Sequence, residues 1–351
     1  MVHEKFKVSL VGVGAMGKLI AKLALEKGFD VVGAFDIDEN IVGKDLGDVI
    51  GIGRELGIIV EKDLTLMRDI GADVAIYATV ARVRELLPQV LPAIRAGIDI
   101  VSTCEELIYP WHIPESREID REAKKHNVTV FGTGVNPGFT MDVLPAVLTS
   151  VCHEVNGVEI KRVVDVSPYS IRDMMMWGIG LSTEEWWGLR KDGKVGMIGL
   201  DCIAHYVSNC LGVKIDKIEE ECRPIEAKVP RKGLYLSVDP GKVAAFEHLL
   251  YGIANGRRFV SLTYIGDLDP KAEGSAEPGV YIRIHGRPDI MVELQGTTLG
   301  DEGALATTAR IVNMVPIVAK APSGLLTQRE LPIGPCLPRK HLSNIMEGKG
   351  K

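Results

Sequence analysis

Three short runs in this chain carry residues whose types and spacing could do chemistry. Gly12-Val13-Gly14-Ala15-Met16-Gly17 spaces its glycines as G-x-G-x-x-G, and Asp36 follows at about 20 residues beyond the last of them. Ser102-Thr103-Cys104-Glu105-Glu106 sets a thiol and two carboxylates in a row. Gly132-Thr133-Gly134-Val135-Asn136-Pro137-Gly138-Phe139 holds an amide in a glycine-rich run. In the first run Gly12 allows a tight exit from a strand, and Gly14 lets a pyrophosphate approach the backbone. Gly17 lets a helix pack close. The N–H groups of Ala15 and Met16 would face that pyrophosphate at a helix N-terminus. Asp36 would accept from ribose hydroxyls. Beside such a cofactor, a carboxylate at Glu105 or Glu106 could move a proton while hydride moves.

The elements that must position these runs are readable around them. Val8–Val11 and Val31–Phe35 read as strands flanking a helix from Lys18, which gives the glycine motif its required context. Asp73–Thr79 is a near-continuous apolar strand, with the small residues Ala78 and Thr79 at its carboxyl end leaving room for a ribose. A helix follows over Arg82–Gly97, which Pro88 and Pro92 should kink or break. Asp99–Thr103 and Val128–Phe131 are further strands, so Glu105 and Asn136 both fall just past strand ends. Strands alternating with helices predict an α/β fold, a doubly wound parallel sheet of the Rossmann type over residues 1–140.

From about Met141 the pattern changes. Val158–Val166, Leu234–Val238, Phe259–Ile265, Val280–His285 and Ile290–Leu294 read as strands with period-2 alternation, and Gly193–Leu211 and Gly241–Ala254 as helices. This predicts an α+β substrate and dimerisation domain over 141–300. A long helix from Asp301 to Lys320 should return the chain to the first domain over 301–340, ahead of a loose tail from His341.

Composition narrows the function. The chain has 351 residues, 46% of them hydrophobic and 25% charged, with a net charge of −6. That suits a two-domain globular protein and disfavours nucleic acid as a partner. No run is long enough to span a membrane, and the polar start lacks a signal peptide's core, so a cytoplasmic location is expected. The six cysteines form neither CxxC nor a finger-like pattern, so no metal site is expected. A 2′-phosphate would be repelled by Asp36, which favours NAD over NADP, although Lys44 could reach that phosphate if its loop folds back.

Taken together, the glycine motif, the Thr103-Cys104-Glu105-Glu106-Leu107 loop, the Gly134-Val135-Asn136-Pro137-Gly138-Phe139 run, Met141–Pro145 and the Ala309–Leu326 stretch resemble the 2,4-diaminopentanoate dehydrogenase family. That family includes the native amine dehydrogenases and is distantly similar to dihydrodipicolinate reductase. The resemblance implies NAD(P)-dependent oxidative deamination of an amine, reversible as reductive amination of a ketone with ammonia. Its family substrate is 2,4-diaminopentanoate, converted to 2-amino-4-oxopentanoate. It also implies a homodimer.

The same loop in the family makes Glu105 the expected acid/base, with Glu106 in reserve for that role, and the alternative is that both are helix-capping or ion-paired surface acids. Cys104 reads as a small packing residue beside the cofactor. As a nucleophile it would instead define a semialdehyde or acylating aldehyde dehydrogenase. A non-catalytic NAD(H) sensor is the third reading. The substrate is expected at Asn136, Phe139, Arg162, Tyr169 and His205. Arg162 would grip a carboxylate or equally lie on a strand surface, and His205 is the weaker candidate, read in preference as a core histidine. Met174–Trp177 and Trp186-Trp187 would wall the pocket, pack the core or make dimer contacts.

Overall fold

The computed structural model of the chain describes residues 5–274, 277–298 and 300–338. Its first unit runs up to Gly134 and resumes at Leu305, and its second is Val135–Ala304. The pattern of residues alone puts these boundaries at 140 and 300. The tail from His341 lies outside the described residues.

Short apolar runs build the sheet of the first unit. Strands β1 (Lys7–Val11), β2 (Asp30–Phe35), β3 (Val60–Glu61), β4 (Val74–Tyr77), β5 (Asp99–Ser102) and β6 (Thr129–Gly132) pair in parallel, in the spatial order 3-2-1-4-5-6. Parallel strands need helical crossovers, supplied by α1 (Ala15–Glu26), α2 (Leu46–Ile50), α3 (Val83–Arg95) and α4 (Ser116–Lys125). The winding direction reverses between β1 and β4. At such a reversal the loops leaving the strands' carboxyl ends run in opposite directions, which is where open α/β sheets bind ligands.

Helix α3 runs unbroken through Pro88 and Pro92, against expectation. Val83, Leu86, Val90, Ala93 and Ile94 are all buried along it, and that apolar face holds the helix on the sheet despite the lost hydrogen bonds.

The second unit has a mixed sheet. Its strands are β7 (Glu154–Asp165), β8 (Lys217–Glu226), β11 (Val243–Ala254), β12 (Arg257–Asp267), β13 (Gly279–Arg287) and β14 (Ile290–Leu294). They lie in the order 14-13-7-12-11-8, and only β7 and β12 run parallel. A two-residue ribbon, β9 (Arg231–Lys232) with β10 (Ser237–Val238), stands apart, so only the end of the expected Leu234–Val238 strand is extended. The helices are α5 (Val143–Leu148), α6 (Ile171–Met176), α7 (Thr183–Lys191) and α8 (Leu200–Cys210).

The expected helix over Gly241–Ala254 is strand β11. Phe246, His248, Leu250 and Ala254 are buried, and Glu247, Leu249, Tyr251 and Ile253 are half-exposed between them. That is a two-residue period, and pairing with β8 and β12 on both sides enforces it. Strand β8, rich in glutamate and carrying Pro224, gave no strand signal. It lies at the sheet edge, where charge and proline are tolerated.

Helix α9 (Gly300–Val318) and strand β15 (Gly324–Leu326) close the chain, and β15 extends the first sheet parallel to β6. Ile311, Val312, Val315 and Val318 of α9 join Ile20, Ala21 and Ala24 of α1 in one apolar cluster. Helices α3 and α4 contribute to a second. The sheet is thus covered on both faces, a doubly wound α/β unit as expected.

Candidate active site

The phosphate turn begins where β1 ends. Gly12 has φ +86°, and a Cβ on it would lie 2.4 Å from the Ala78 carbonyl oxygen. A Cβ on Gly17 would lie 1.9 Å from the Gly12 carbonyl oxygen, so α1 packs directly on the turn. Around Gly14 the space is open, with nothing within 4 Å of where its Cβ would be. Gly14 is the N-cap of α1 and supplies no side chain to its first turn. The backbone N–H groups there, Ala15 and Met16 included, are the ones a helix cannot satisfy internally. This cradle suits a pyrophosphate, and any side chain at Gly14 would fill it.

Asp36 stands at the end of β2 and ties that end to the turn. Its Oδ2 accepts from the Val13 N–H at 2.6 Å, and its Oδ1 accepts from Ile37 and Asp38 at 2.7 and 2.9 Å. Asn40 holds the Asp38 carboxyl below its ordinary value, and Lys18 and Lys44 act in the same direction. Ala78 and Thr79 follow β4 and pack against Gly12.

The acidic loop follows β5. Glu105–Ile108 forms a tight 3-10 turn. Glu106 Oε2 accepts from the Val83 N–H at 2.8 Å, and its Oε1 meets Arg82 at 3.3 Å, so it caps α3. Glu105 is different. Burial pushes its carboxyl up to about 7, reinforced by Glu106 and opposed by its own backbone N–H and by Arg82. A carboxyl poised there can both take and give a proton near neutrality.

Cys104 is fully buried, and its thiol donates to the Ala81 carbonyl at 3.1 Å. Burial, with Glu105 beside it, drives its ionisation far upward. A nucleophilic cysteine needs the reverse environment.

Sequence reasoning missed Arg310. It is buried on α9, donates to Thr133 Oγ1 at 3.2 Å and bonds Gln328, which links α9 to the end of β6. Its signal was a single arginine before the apolar run Ile311, Val312, Met314, Val315. Thr308, one turn earlier, reaches Met16 Sδ at 3.5 Å.

The second unit gathers most of the expected substrate residues around Arg162. Arg162 is 4% exposed on β7. It donates to Thr140 Oγ1 at 3.2 Å and to the Thr297 carbonyl at 2.9 Å. Burial lowers its pKa, against the pull of Tyr264 and Tyr169, and a guanidinium stays charged there regardless. Asn136 and Phe139 lie on the turn that leads to Thr140.

Tyr169, Trp177, Phe246 and Tyr264 form a chain of ring contacts at 5.5, 5.8 and 5.8 Å. Trp186 is core, and its Nε1 donates to the Trp177 carbonyl at 3.0 Å, whereas Trp187 is exposed. Met174 is buried, and Met175 and Met176 are exposed. His205 sits half-buried on α8, where its carbonyl accepts from Ser208.

Comparison with known proteins places these features in context. Residues 139–346 match the family described as the 2,4-diaminopentanoate dehydrogenase C-terminal domain. A 2,4-diaminopentanoate dehydrogenase of Acetoanaerobium sticklandii is 31% identical over 338 residues, 94% of each chain. An amine dehydrogenase of Streptomyces virginiae is 22% identical over 320 residues, covering 85% of this chain and 88% of that one. The structure of an amine dehydrogenase from Mycobacterium smegmatis shares the fold, with a TM-score of 0.84 at 24% identity over 95% of this chain and 98% of that one.

Proposed function

This chain belongs to the 2,4-diaminopentanoate dehydrogenase family, and on that premise we propose that it oxidatively deaminates 2,4-diaminopentanoate to 2-amino-4-oxopentanoate and ammonia, with Glu105 as the acid/base. It is an NAD(P)-dependent oxidoreductase acting on amines. The observation that carries the mechanism is Glu105 itself, a carboxyl raised to about 7 by burial on the sheet edge that also bears the phosphate turn.

The turn at Gly12–Gly17 and Asp36 would hold the cofactor's pyrophosphate and ribose. When bound, its nicotinamide C4 supplies the hydride acceptor. Glu105 as a carboxylate attracts the substrate's ammonium and removes one proton, which frees the nitrogen lone pair. That lone pair drives hydride off the adjacent carbon, and the carboxylate stabilises the iminium charge. Glu105 then releases that proton to solvent, takes one from water as its oxygen adds to the iminium carbon, and passes it to the nitrogen; as the C–N bond breaks and ammonia leaves, the carbinol O–H gives its proton back to the Glu105 carboxylate. Asp36, whose charge disfavours a 2′-phosphate, supports NAD over NADP.

Arg162 supports a substrate that keeps its carboxylate. A cation so deeply buried needs an anionic partner to offset its desolvation, and Thr140, Thr297 and the two phenols are neutral groups. The outer face of the second sheet carries half-exposed Leu249, Tyr251, Ile253 and Phe259, which supports a homodimer.

The test is ammonia-dependent NADH oxidation with 2-amino-4-oxopentanoate and with simple ketones, NADPH in parallel. Turnover that prefers the amino acid supports the reading. Coenzyme A- or phosphate-dependent aldehyde oxidation would mark thiol chemistry at Cys104. Cofactor binding without any turnover would mark a sensor.

A further inference from the structure

Among the described residues, five buried side-chain polar atoms have no hydrogen-bond partner within the protein, and four of them belong to one network in the second unit. They are Asn136 Oδ1, Arg162 Nε, Thr297 Oγ1 and Thr298 Oγ1. Arg162 joins the pieces. Its Nη1 donates to Thr140 Oγ1, which in turn donates to the Val135 carbonyl at 2.9 Å, beside Asn136. Its Nη2 holds the Thr297 carbonyl, and the Asp165 N–H holds the Thr298 carbonyl at 3.2 Å. The Thr297 carbonyl also lies 3.1 Å from where a Cβ on Gly303 would sit, so α9 packs against the same turn. The threonine turn is therefore fixed through its backbone at both residues, and its two hydroxyls remain for another partner.

Buried polar atoms without partners are costly, and four on one network imply a polar ligand. Their chemistry describes it. The Arg162 Nε–H is a charged donor, and the threonine hydroxyls are neutral donors, a set that suits the two oxygens of a carboxylate. Asn136 Oδ1 is an acceptor, which suits an ammonium. A carboxylate and an ammonium on one carbon are the head of an α-amino acid.

We propose that Thr297, Thr298 and Asn136 complete, with Arg162, a cradle for the α-amino-acid head of the substrate. The Thr298 hydroxyl donates to the carboxylate, and Asn136 Oδ1 accepts from the α-ammonium that does not react. Thr298, 1% exposed, is the specificity-determining residue that sequence reasoning did not reach. The assignment rests on the amine dehydrogenase reading for which amine reacts, but its binding chemistry does not.

The test compares wild type, Thr298→Val and Thr298→Ser on 2,4-diaminopentanoate and on pentan-2-amine, which lacks the head. Valine keeps the shape and removes the hydroxyl. The kcat/KM ratio between the two substrates is expected to fall by about tenfold in Thr298→Val and to be restored in Thr298→Ser. A fall of under about threefold, or an equal fall in both variants, overturns the assignment.

For Asn136→Ala, the ratio of 2,4-diaminopentanoate to 4-aminopentanoate, which lacks only the α-ammonium, should fall by a similar factor. A ratio that does not move removes Asn136 from the cradle. A second arm needs no turnover: 2-aminopentanoate should raise the thermal midpoint of the NADH-loaded wild type and bind about tenfold more weakly to Thr298→Val. If wild type turns over no amine, the reaction reading fails and this arm alone decides the cradle. A wild type that binds no α-amino acid overturns it.

Discussion

Glu106 accepts from the Val83 N–H across 2.8 Å, and that single bond separates the roles of two adjacent glutamates. Glu106 satisfies one of the N–H groups that α3 cannot satisfy itself, with Arg82 beside it. Glu106→Gln should therefore cost stability, about 1 kcal/mol from the weakened cap, measured by urea unfolding. It also removes a negative charge that raises the Glu105 carboxyl. The acid limb of the pH–rate profile should move to lower pH in this variant. A limb that stays in place would mean that the two carboxyls do not feel each other.

Glu105→Gln should abolish deamination, by about 10²- to 10⁴-fold in kcat, while NADH still binds. The proposed role needs Glu105 as the carboxylate, so deamination should rise with pH through about 7 and level above it. The same shift has a stability consequence. A carboxyl whose folded pKa is raised binds more protons in the folded state than in the unfolded one. It therefore weakens the fold as pH climbs from its ordinary value of 4.5 to about 7. Glu105→Gln should thus be more stable than wild type at pH 8, by about 1–3 kcal/mol, with little gain at pH 4. Thermal unfolding at both pH values checks it.

The parts of this site that were legible in the sequence are those made by local chain. Gly12–Gly17, Asp36 and the strand ends at Ala78 and Glu105 declare themselves within one βαβ unit or one strand–loop step. That Glu106 caps α3 was not legible, because the helix start it holds lies 23 residues upstream, at Val83. Strand β11 was misread because Val243, Phe246 and Leu250 also fit one helical face. Only pairing with β8 and β12 selects the extended form. Thr297 and Thr298 look like ordinary turn residues until Arg162, 135 positions earlier, is found on the Thr297 carbonyl.

Arg162→Lys should not be conservative. The guanidinium reaches Thr140 and Thr297 from two different nitrogens and keeps Nε–H for a carboxylate, and an ammonium, with its three donors on one nitrogen, lacks that spread. The expected result is a loss of about 10²-fold in kcat/KM for 2,4-diaminopentanoate, mostly in KM, with a smaller loss for pentan-2-amine. Equal losses on the two substrates would show that Arg162 supports the fold and not the carboxylate.

Asp36→Ala removes two things together. It takes away the charge expected to disfavour a 2′-phosphate, and it releases the Val13 N–H from its acceptor at 2.6 Å. NADH affinity should fall by about tenfold or more, through a lost ribose contact and a loosened phosphate turn. NADPH should lose less, because relief of repulsion offsets part of the same damage. The proposed preference for NADH over NADPH should therefore narrow, as read by fluorescence titration of both reduced cofactors. Hydrogen exchange of the Val13 amide separates the two effects without any ligand. It should be protected in wild type and exchange faster in Asp36→Ala. If protection is unchanged while NADH affinity still falls, the carboxylate acts on the ribose alone and the turn holds its shape without it.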